Sequence, residues 1–228
     1  MLFHPLDFLI FAAFGAAMWA QYRVKSTFTK YSEVPVSSGL NGMEAARKFL
    51  DREDLHQIKI EQARGVLTDH YDPVHKVIRL SEPVYGRRSI SAAAVACHEA
   101  GHALQHKEAY RFLMIRHKMF PMVSFASGTA PFLLLAGFFL QSFNLMGLGI
   151  ILFSAAVAFQ LITLPVEFNA SSRARDFMVV EGIVASSEEK QASRVLNAAA
   201  LTYVAAALIS LLQLLKFILV FSQGSSRE

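Results

Sequence analysis

Two histidines and a glutamate fall within five consecutive residues, His98-Glu99-Ala100-Gly101-His102, and these residue types can hold and use a metal ion. On an α-helix His98 and His102 lie one turn apart on the same face, so both imidazoles can reach one ion. Glu99 lies on the flank beside them, where its carboxylate can take a proton from water. This HExxH pattern predicts a zinc site that activates water; an amphipathic core helix that carries two histidines is the alternative.

The residues on both sides of this pattern favour the helix that such a site requires. Most are strong helix formers, Ser89 or Ser91 can cap the first turn, and no proline follows before Pro121. Cys97, the single cysteine, excludes an intramolecular disulfide and could be read as a metal ligand or a redox switch. We expect it instead to be a small buried hydrophobic residue.

A zinc ion that activates water needs a third protein ligand and an open fourth position. The metzincin pattern would require Gly at position 105 and His at position 108, but this chain has Gln105 and Glu108. Zinc proteases of the gluzincin type take a glutamate from a later helix. The third ligand is therefore expected among the acidic residues further along the chain.

Glu167 is the acidic residue best placed to be that ligand. Small residues follow it at helical spacing, which lets its helix pack close to the HExxH helix. They are Ala170, Ser171 and Ala174. The acidic residues that we consider less suitable are Glu108, Asp176, Glu181, Glu188 and Glu189. The alternative for Glu167 is an interfacial charge at the end of a membrane span.

Polar residues ahead of the helix and beyond it offer further candidates. The composition of segment 69–73, DHYDP, is typical of a turn without any function. We nevertheless retain His70 and Tyr71, after Arg173, as candidates to stabilise the oxyanion of a tetrahedral intermediate. His106 lies one turn beyond the histidine pair, but helical drift turns it away from them, so we expect it at the surface or at the membrane edge.

Three stretches before the metal helix show the alternation of apolar and polar residues, or the β-forming composition, of strands. They are Gln57–Gln62, Val66–Tyr71 and Lys76–Leu80. We predict a small antiparallel sheet whose edge strand pairs with the backbone of a substrate, as in zinc proteases of the gluzincin type. The candidate substrate-binding residues are Val77, Ile78, Arg79, Leu80 and Ser81. An ordinary structural hairpin is the alternative.

Membrane segments are expected because 54% of the 228 residues are hydrophobic and the mean hydropathy is positive. The candidate spans are Leu6–Tyr22, Pro121–Leu140, Leu145–Leu164 and Ala198–Phe221. The first is short and contains Asp7, so an interfacial helix is its alternative. We predict a transmembrane helix at 6–22, a cytoplasmic zinc-protease domain at 25–119, a transmembrane hairpin at 121–164, a cytoplasmic segment with the third ligand at 165–197 and a last transmembrane helix at 198–221.

The basic residues are concentrated in two segments of the chain. Of the 22 Lys and Arg residues, segment 21–119 contains 16 and segment 166–198 contains 4, whereas Lys216 lies inside a span and Arg227 beyond it. Since basic residues favour the cytoplasmic side of a membrane, both segments should be cytoplasmic and both termini external. This topology accounts for the basic residues, and the sequence contains no nucleic-acid-binding module.

The segments GVLTDHYDP, KVIRLSEPVY, CHEAGHALQH and LPVEFNASSRA occur in this order, with an apolar hairpin between the last two. These four segments, together with the first residues MLFHPLDF, resemble the YugP-like neutral zinc metallopeptidases of bacterial membranes. The layout of the chain is similar to that of the HtpX and CAAX prenyl protease group, in which a cytosolic-side HExxH precedes two spans and a glutamate-containing helix. That group has an aspartate four residues after its glutamate that orients a ligand histidine, whereas this chain has Ser171. The resemblance implies a peptidase of a prokaryotic cell (inner) membrane whose substrates are peptides or proteins, membrane proteins among them.

Together these features predict an α+β integral membrane protein with about four transmembrane helices and a small gluzincin-like zinc domain. One Zn²⁺ per chain, held by His98, His102 and Glu167, would lower the pKa of its water to about 7. Glu99 would take that water's proton and pass it to the leaving amine of a cleaved peptide bond. A zinc-stabilised membrane scaffold or adaptor without hydrolysis is the alternative, although a structural site has no use for a base. A transporter is disfavoured because neither central span contains a charge.

Overall fold

The computed structural model of the protein describes residues 5–225, so Arg227 and the first four residues of the MLFHPLDF stretch lie outside the described part. The described helices are α1 (Leu6–Ser32), α2 (Gly42–Arg52), α3 (Glu82–Tyr85), α4 (Ile90–Lys107), α5 (Arg111–Phe139), α6 (Phe143–Val180) and α7 (Glu189–Ser225). The strands are β1 (Lys59–Ala63), β2 (His70–Asp72) and β3 (Val77–Ser81). The protein is thus mostly helical, with one small three-stranded sheet ahead of α4.

The chain divides into two units, and the boundary falls within each of the four long helices. The helical unit comprises the described residues up to position 19 together with 114–164 and the described residues from 202 onward. The mixed unit comprises Ala20–Leu113 and Pro165–Leu201, so it contains the sheet, α2, α3 and α4. All of the residues that the sequence identifies as metal ligands belong to the mixed unit.

Three described helices of the chain, α5, α6 and α7, are long and apolar enough to cross a membrane. They extend beyond the predicted spans: α5 begins at Arg111, well before Pro121, and α6 continues through Pro165 to Val180. The predicted bounds follow apolar composition, whereas helical hydrogen bonding continues into the polar sequence on either side. The helix α1 is less apolar than these three.

Within the helical unit, the first and last helices are joined by an ion pair between Asp7 and Lys216. The start of α6 contacts the end of α7, where the ring centroids of Phe143 and Phe221 are 5.8 Å apart. The hairpin of α5 and α6 is close at Gly137, where an added Cβ would lie 2.6 Å from the backbone nitrogen of Met146. The start of α1, the end of α7 and the start of α6 are therefore brought together.

In the mixed unit the strand order is β1-β3-β2, with β1 parallel and β2 antiparallel to β3. The prediction of an antiparallel sheet with Val77–Ser81 at its edge is therefore wrong. Strands β2 and β3 follow each other in the chain and pair antiparallel, and β1 pairs in parallel with the other side of β3. Four of the five β3 residues are fully or almost fully buried, as a central strand requires.

The helix α4 lies within the core of the mixed unit and has few exposed positions. Ser89 caps its first turn by accepting a hydrogen bond from the Ala92 amide, as one of the two predicted caps. Cys97 is fully buried in the hydrophobic core, which confirms the prediction of a buried hydrophobic residue. Burial raises the pKa of its thiol, so the side chain stays protonated and packs as an apolar group.

Candidate metal centre

The two helices that carry the predicted metal ligands cross at a glycine inside the HExxH pattern. A Cβ atom added to Gly101 would lie 2.8 Å from the carbonyl oxygen of Ala170 on α6. Ala170 and Ala174 are themselves fully buried. The small residues that follow Glu167 in the sequence thus form the face of α6 that packs against α4. The backbones of the two helices are in direct contact there.

This close crossing brings three donor groups together. His98 Nε2 lies 3.3 Å, and His102 Nε2 lies 3.6 Å, from Glu167 Oε2. All three donor atoms lie within 4.8 Å of one another, and the Glu167 side chain is almost completely buried. Zinc bonds of about 2.0–2.1 Å at tetrahedral angles would separate two ligand atoms by about 3.3 Å. The geometry and the donor types therefore fit one zinc ion.

The opposite ring nitrogen of each histidine also has a polar neighbour. Ser171 Oγ lies 3.1 Å from His98 Nδ1, and Gln105 Oε1 lies 3.0 Å from His102 Nδ1. Such contacts leave Nε2 of each ring directed toward Glu167. Burial alone would lower the pKa of His102, but the hydrogen bond and charge of Glu167, with smaller contributions from neighbouring groups, raise it. Positive charge is thus favoured at this position.

Glu99 is buried, at 8% exposure, beside the histidine pair but is not one of the three converging donors. Its negative charge acts on a second, partly buried carboxylate, Asp69, whose pKa is raised by desolvation and, to a smaller extent, by Glu99. Asp69 accepts hydrogen bonds from the amide and the hydroxyl of Ser81, at 2.7 and 3.0 Å. Glu99 is therefore a carboxylate that lies near the ligands without being one of them, which is the placement of a general base.

The candidates for oxyanion stabilisation have other partners. Arg173 donates to Glu108 at 2.6 Å and, through Nε, to the side-chain oxygen of Asn169 at 2.8 Å. The hydrogen bond from Arg173 lowers the pKa of Glu108. His70 is exposed, and its ring nitrogen donates to the Thr68 carbonyl oxygen. All of these side chains are outside the group of three metal donors.

Tyr71 lies next to α4, the helix that contains His98 and His102. Its hydroxyl is 2.9 Å from His106 Nδ1, and desolvation raises the pKa of Tyr71 to about 12. Burial, with the charge of Lys76, lowers the pKa of His106. His106 is therefore a partly buried partner of Tyr71, where the sequence predicted a residue at the surface or membrane edge. The tyrosine hydroxyl remains a proton donor at neutral pH.

The remaining acidic candidates are paired with residues away from the histidines. Glu181 contacts Lys48 and Arg52, and Glu188 accepts hydrogen bonds from the amide and hydroxyl of Ser37. Asp176 accepts from the adjacent Arg175, Glu108 from Arg173, and Glu189 lies in the first turn of α7. Of the acidic residues considered from the sequence, the structure brings Glu167 to the histidine pair.

Sequence reasoning missed the contacts of Gln105 with His102 and α6, since this residue entered only as evidence against a metzincin. Its side chain is completely buried and contacts both α4 and α6. The available signal was its position three residues after His102, which places an amide on the histidine face of a helix whose other buried residues are mostly apolar. Its partners on α6 could not be read from that spacing.

Comparison with known proteins agrees with this geometry. A family model described as "Putative neutral zinc metallopeptidase" matches residues 6–222. A curated protein of Bacillus subtilis (strain 168), "Putative membrane protease YugP", is 61% identical over 217 residues, which cover 95% of this chain and 96% of that protein. No solved structure shows a significant match to the chain.

Proposed function

This chain belongs to the family of neutral zinc metallopeptidases, and on that premise we propose that it is a membrane-anchored endopeptidase of the gluzincin type. The observation that carries the proposal is the convergence of His98, His102 and Glu167, with the buried carboxylate of Glu99 beside them. A purely structural zinc site would use a fourth protein ligand and would need no neighbouring base. The substrates are peptides or proteins, and membrane proteins are the class most accessible to an anchored enzyme.

In this proposal the three ligand side chains hold one zinc ion, which when bound acts as a Lewis acid that makes water nucleophilic at neutral pH. Glu99 accepts a proton from the attacking water at a carboxylate oxygen. As the peptide C–N bond breaks, Glu99 returns that proton to the leaving amine nitrogen, so the carboxylate is regenerated. Its burial excludes bulk water that would compete for the proton.

We assign oxyanion stabilisation to Tyr71 in preference to Arg173 and His70. The hydroxyl of Tyr71 is held by His106, one helical turn beyond His102. In this proposal His106 Nδ1–H donates to the hydroxyl oxygen, which leaves the hydroxyl proton for the oxyanion, and the raised pKa of Tyr71 keeps that proton on the oxygen. The guanidinium of Arg173 is engaged by Glu108 and Asn169, and His70 is exposed. A positioned hydrogen-bond donor of this kind is worth about 100- to 1,000-fold in kcat.

The position of β3 changes the proposal for substrate binding. Its residues 77–79 pair with β2 on one side, and the Asp69 carboxylate accepts from the amide of Ser81 beyond them. Strand β2 packs against α4 and pairs with β3 along one side only. We therefore propose that the substrate backbone adds to the outer edge of β2, at His70–Asp72.

For the topology we propose four spans, with α1 as the first, in the inner membrane of a prokaryotic cell. The ion pair of Asp7 with Lys216 supports this assignment, because charges within spans are stable when they are paired. It also supports placing both termini on the same side. The basic residues of segments 21–119 and 166–198 support a metal centre on the cytoplasmic side.

The test of the proposed function is Glu99→Gln in the full-length, detergent-solubilised protein. The change keeps the shape of the side chain but removes the base, so peptidase activity on an unfolded protein substrate should be lost while about one zinc per chain remains. A matched control is Glu53→Gln, a glutamate that caps the end of α2. Loss of zinc from Glu99→Gln, or activity equal to that of the wild type, would refute the assignment.

A further inference from the structure

A chain of hydrogen bonds connects His102 to a side chain that is always charged. Arg173 Nε donates to Asn169 Oδ1 at 2.8 Å, and Gln105 Nε2 donates to the same oxygen at 2.9 Å. Gln105 Nε2 also donates to the main-chain carbonyl of Val166 at 2.8 Å. Gln105 Oε1 faces His102 Nδ1 at 3.0 Å. All five residues belong to the mixed unit.

The direction of each hydrogen bond in this chain follows from its charged end. Arginine can only donate, so the atom of Asn169 that faces Arg173 Nε is the amide oxygen. That oxygen cannot donate to Gln105, so the atom of Gln105 that faces it is the amide nitrogen. The carbonyl of Val166 imposes the same orientation independently, because a carbonyl oxygen only accepts.

The orientation of Gln105 fixes the proton on His102. With its nitrogen facing two acceptors, Gln105 presents its oxygen to His102 Nδ1, and that nitrogen must therefore carry the hydrogen. In the neutral ring Nε2 then has a free lone pair that points at Glu167 Oε2, 3.6 Å away. Two lone pairs that face each other across a buried site need a cation or a proton between them.

We propose that Gln105 is a positioning residue of the metal centre: its amide selects the Nδ1–H form of His102 and ties that ligand to the backbone of α6 beside Glu167. The proposal rests on the proposed zinc site. Gln105 touches neither substrate nor ion; it holds ligands from two helices in register through Val166, the residue immediately before Glu167. Its complete burial keeps water from replacing these hydrogen bonds.

The test measures zinc binding, independently of peptidase activity. Gln105→Leu has similar volume but no hydrogen bonds, and should weaken zinc binding about 10- to 100-fold in competition with a chelator of known affinity. The absorption bands of the cobalt-substituted protein, which report ligand geometry, should shift as well. Glu108→Gln is the control, because Arg173 orients Asn169 through Nε without Glu108, and its zinc affinity should remain within about twofold of wild type.

The possible results separate this inference from the function on which it rests. A Gln105→Leu protein with wild-type zinc affinity and cobalt spectrum would overturn the positioning role, even if the wild type is an active peptidase. A wild-type protein that binds no zinc would overturn the proposed function itself. If Gln105→Leu does not fold, Gln105→Met decides, since it keeps the length of the side chain but lacks the amide; an unchanged zinc affinity and cobalt spectrum in that variant would likewise overturn the role.

Discussion

The contact between α4 and α6 at Gly101 should determine whether the chain can bind zinc tightly. Alanine is the better helix former, and in an open helical position Gly→Ala stabilises by roughly 1 kcal/mol. At Gly101, however, the new Cβ would lie 2.8 Å from the Ala170 carbonyl oxygen, whereas ordinary contacts begin at 3.4 Å. The helices must therefore separate by about 0.6 Å, the difference between these two distances.

A separation of this size is large for a metal centre. Glu167 is one helical turn before Ala170, so a shift of α6 moves its carboxylate with it, while zinc tolerates ligand displacements of only about 0.2 Å. Crowding of a packed core costs about 1–3 kcal/mol, which corresponds to roughly a 5- to 150-fold loss of affinity. In the zinc-free protein the helices can move apart, so we expect this cost to appear mainly in zinc binding.

Competition with a chelator measures the zinc dissociation constant of Gly101→Ala, and thermal unfolding with and without zinc measures its stability. We expect affinity to fall about 5- to 150-fold while the zinc-free melting temperature falls much less. Gly128→Ala is the matched control, because Gly128 lies in a helix with nothing within 4 Å of an added Cβ. Wild-type affinity in Gly101→Ala would refute the argument that this close approach positions the ligands.

Three further predictions concern the third ligand, the oxyanion donor and the topology. Glu167→Ala should lose tight zinc binding and activity together, whereas Glu181→Ala, which removes a carboxylate paired with Lys48 and Arg52, should keep both; metal analysis of the two proteins decides. Tyr71→Phe should retain zinc but lower kcat about 100-fold with little change in KM, and an unchanged kcat would exclude Tyr71 as the donor. A single cysteine introduced in the turn 140–142 between α5 and α6, in a Cys97→Ala background, should react with an impermeant thiol reagent added outside intact cells; protection there and labelling only after lysis would invert the proposed orientation.

The features that the sequence could predict are those that depend on local spacing. The α4 helix, its cap at Ser89 and the shared face of His98 and His102 follow from helical periodicity. The choice of Glu167 followed from small neighbours that permit a close crossing, and the structure shows that crossing at Gly101.

The features that could not be predicted depend on residues distant in the chain. The prediction that Val77–Ser81 forms an edge strand came from the likeness to gluzincin zinc proteases; in the structure this strand lies in the middle of the sheet, with Arg79 paired to Asp72. Strand order is set by packing between segments, so alternation within a strand does not reveal it. The proposed role of Gln105 similarly depends on its hydrogen bonds to Val166 and Asn169. These two residues come close to Gln105 only when α6 packs against α4.

The ion pair between Asp7 and Lys216 has a consequence for biosynthesis. The two residues are separated by 209 positions in the chain, so the ribosome delivers the carboxylate long before the ammonium group that pairs with it. If α1 is inserted as the first span, Asp7 enters the bilayer without Lys216 and gains that partner only when α7 has been inserted. Completion of the last helix would then stabilise the first, and chains that stop short of α7 would insert α1 without the charge that pairs with Asp7.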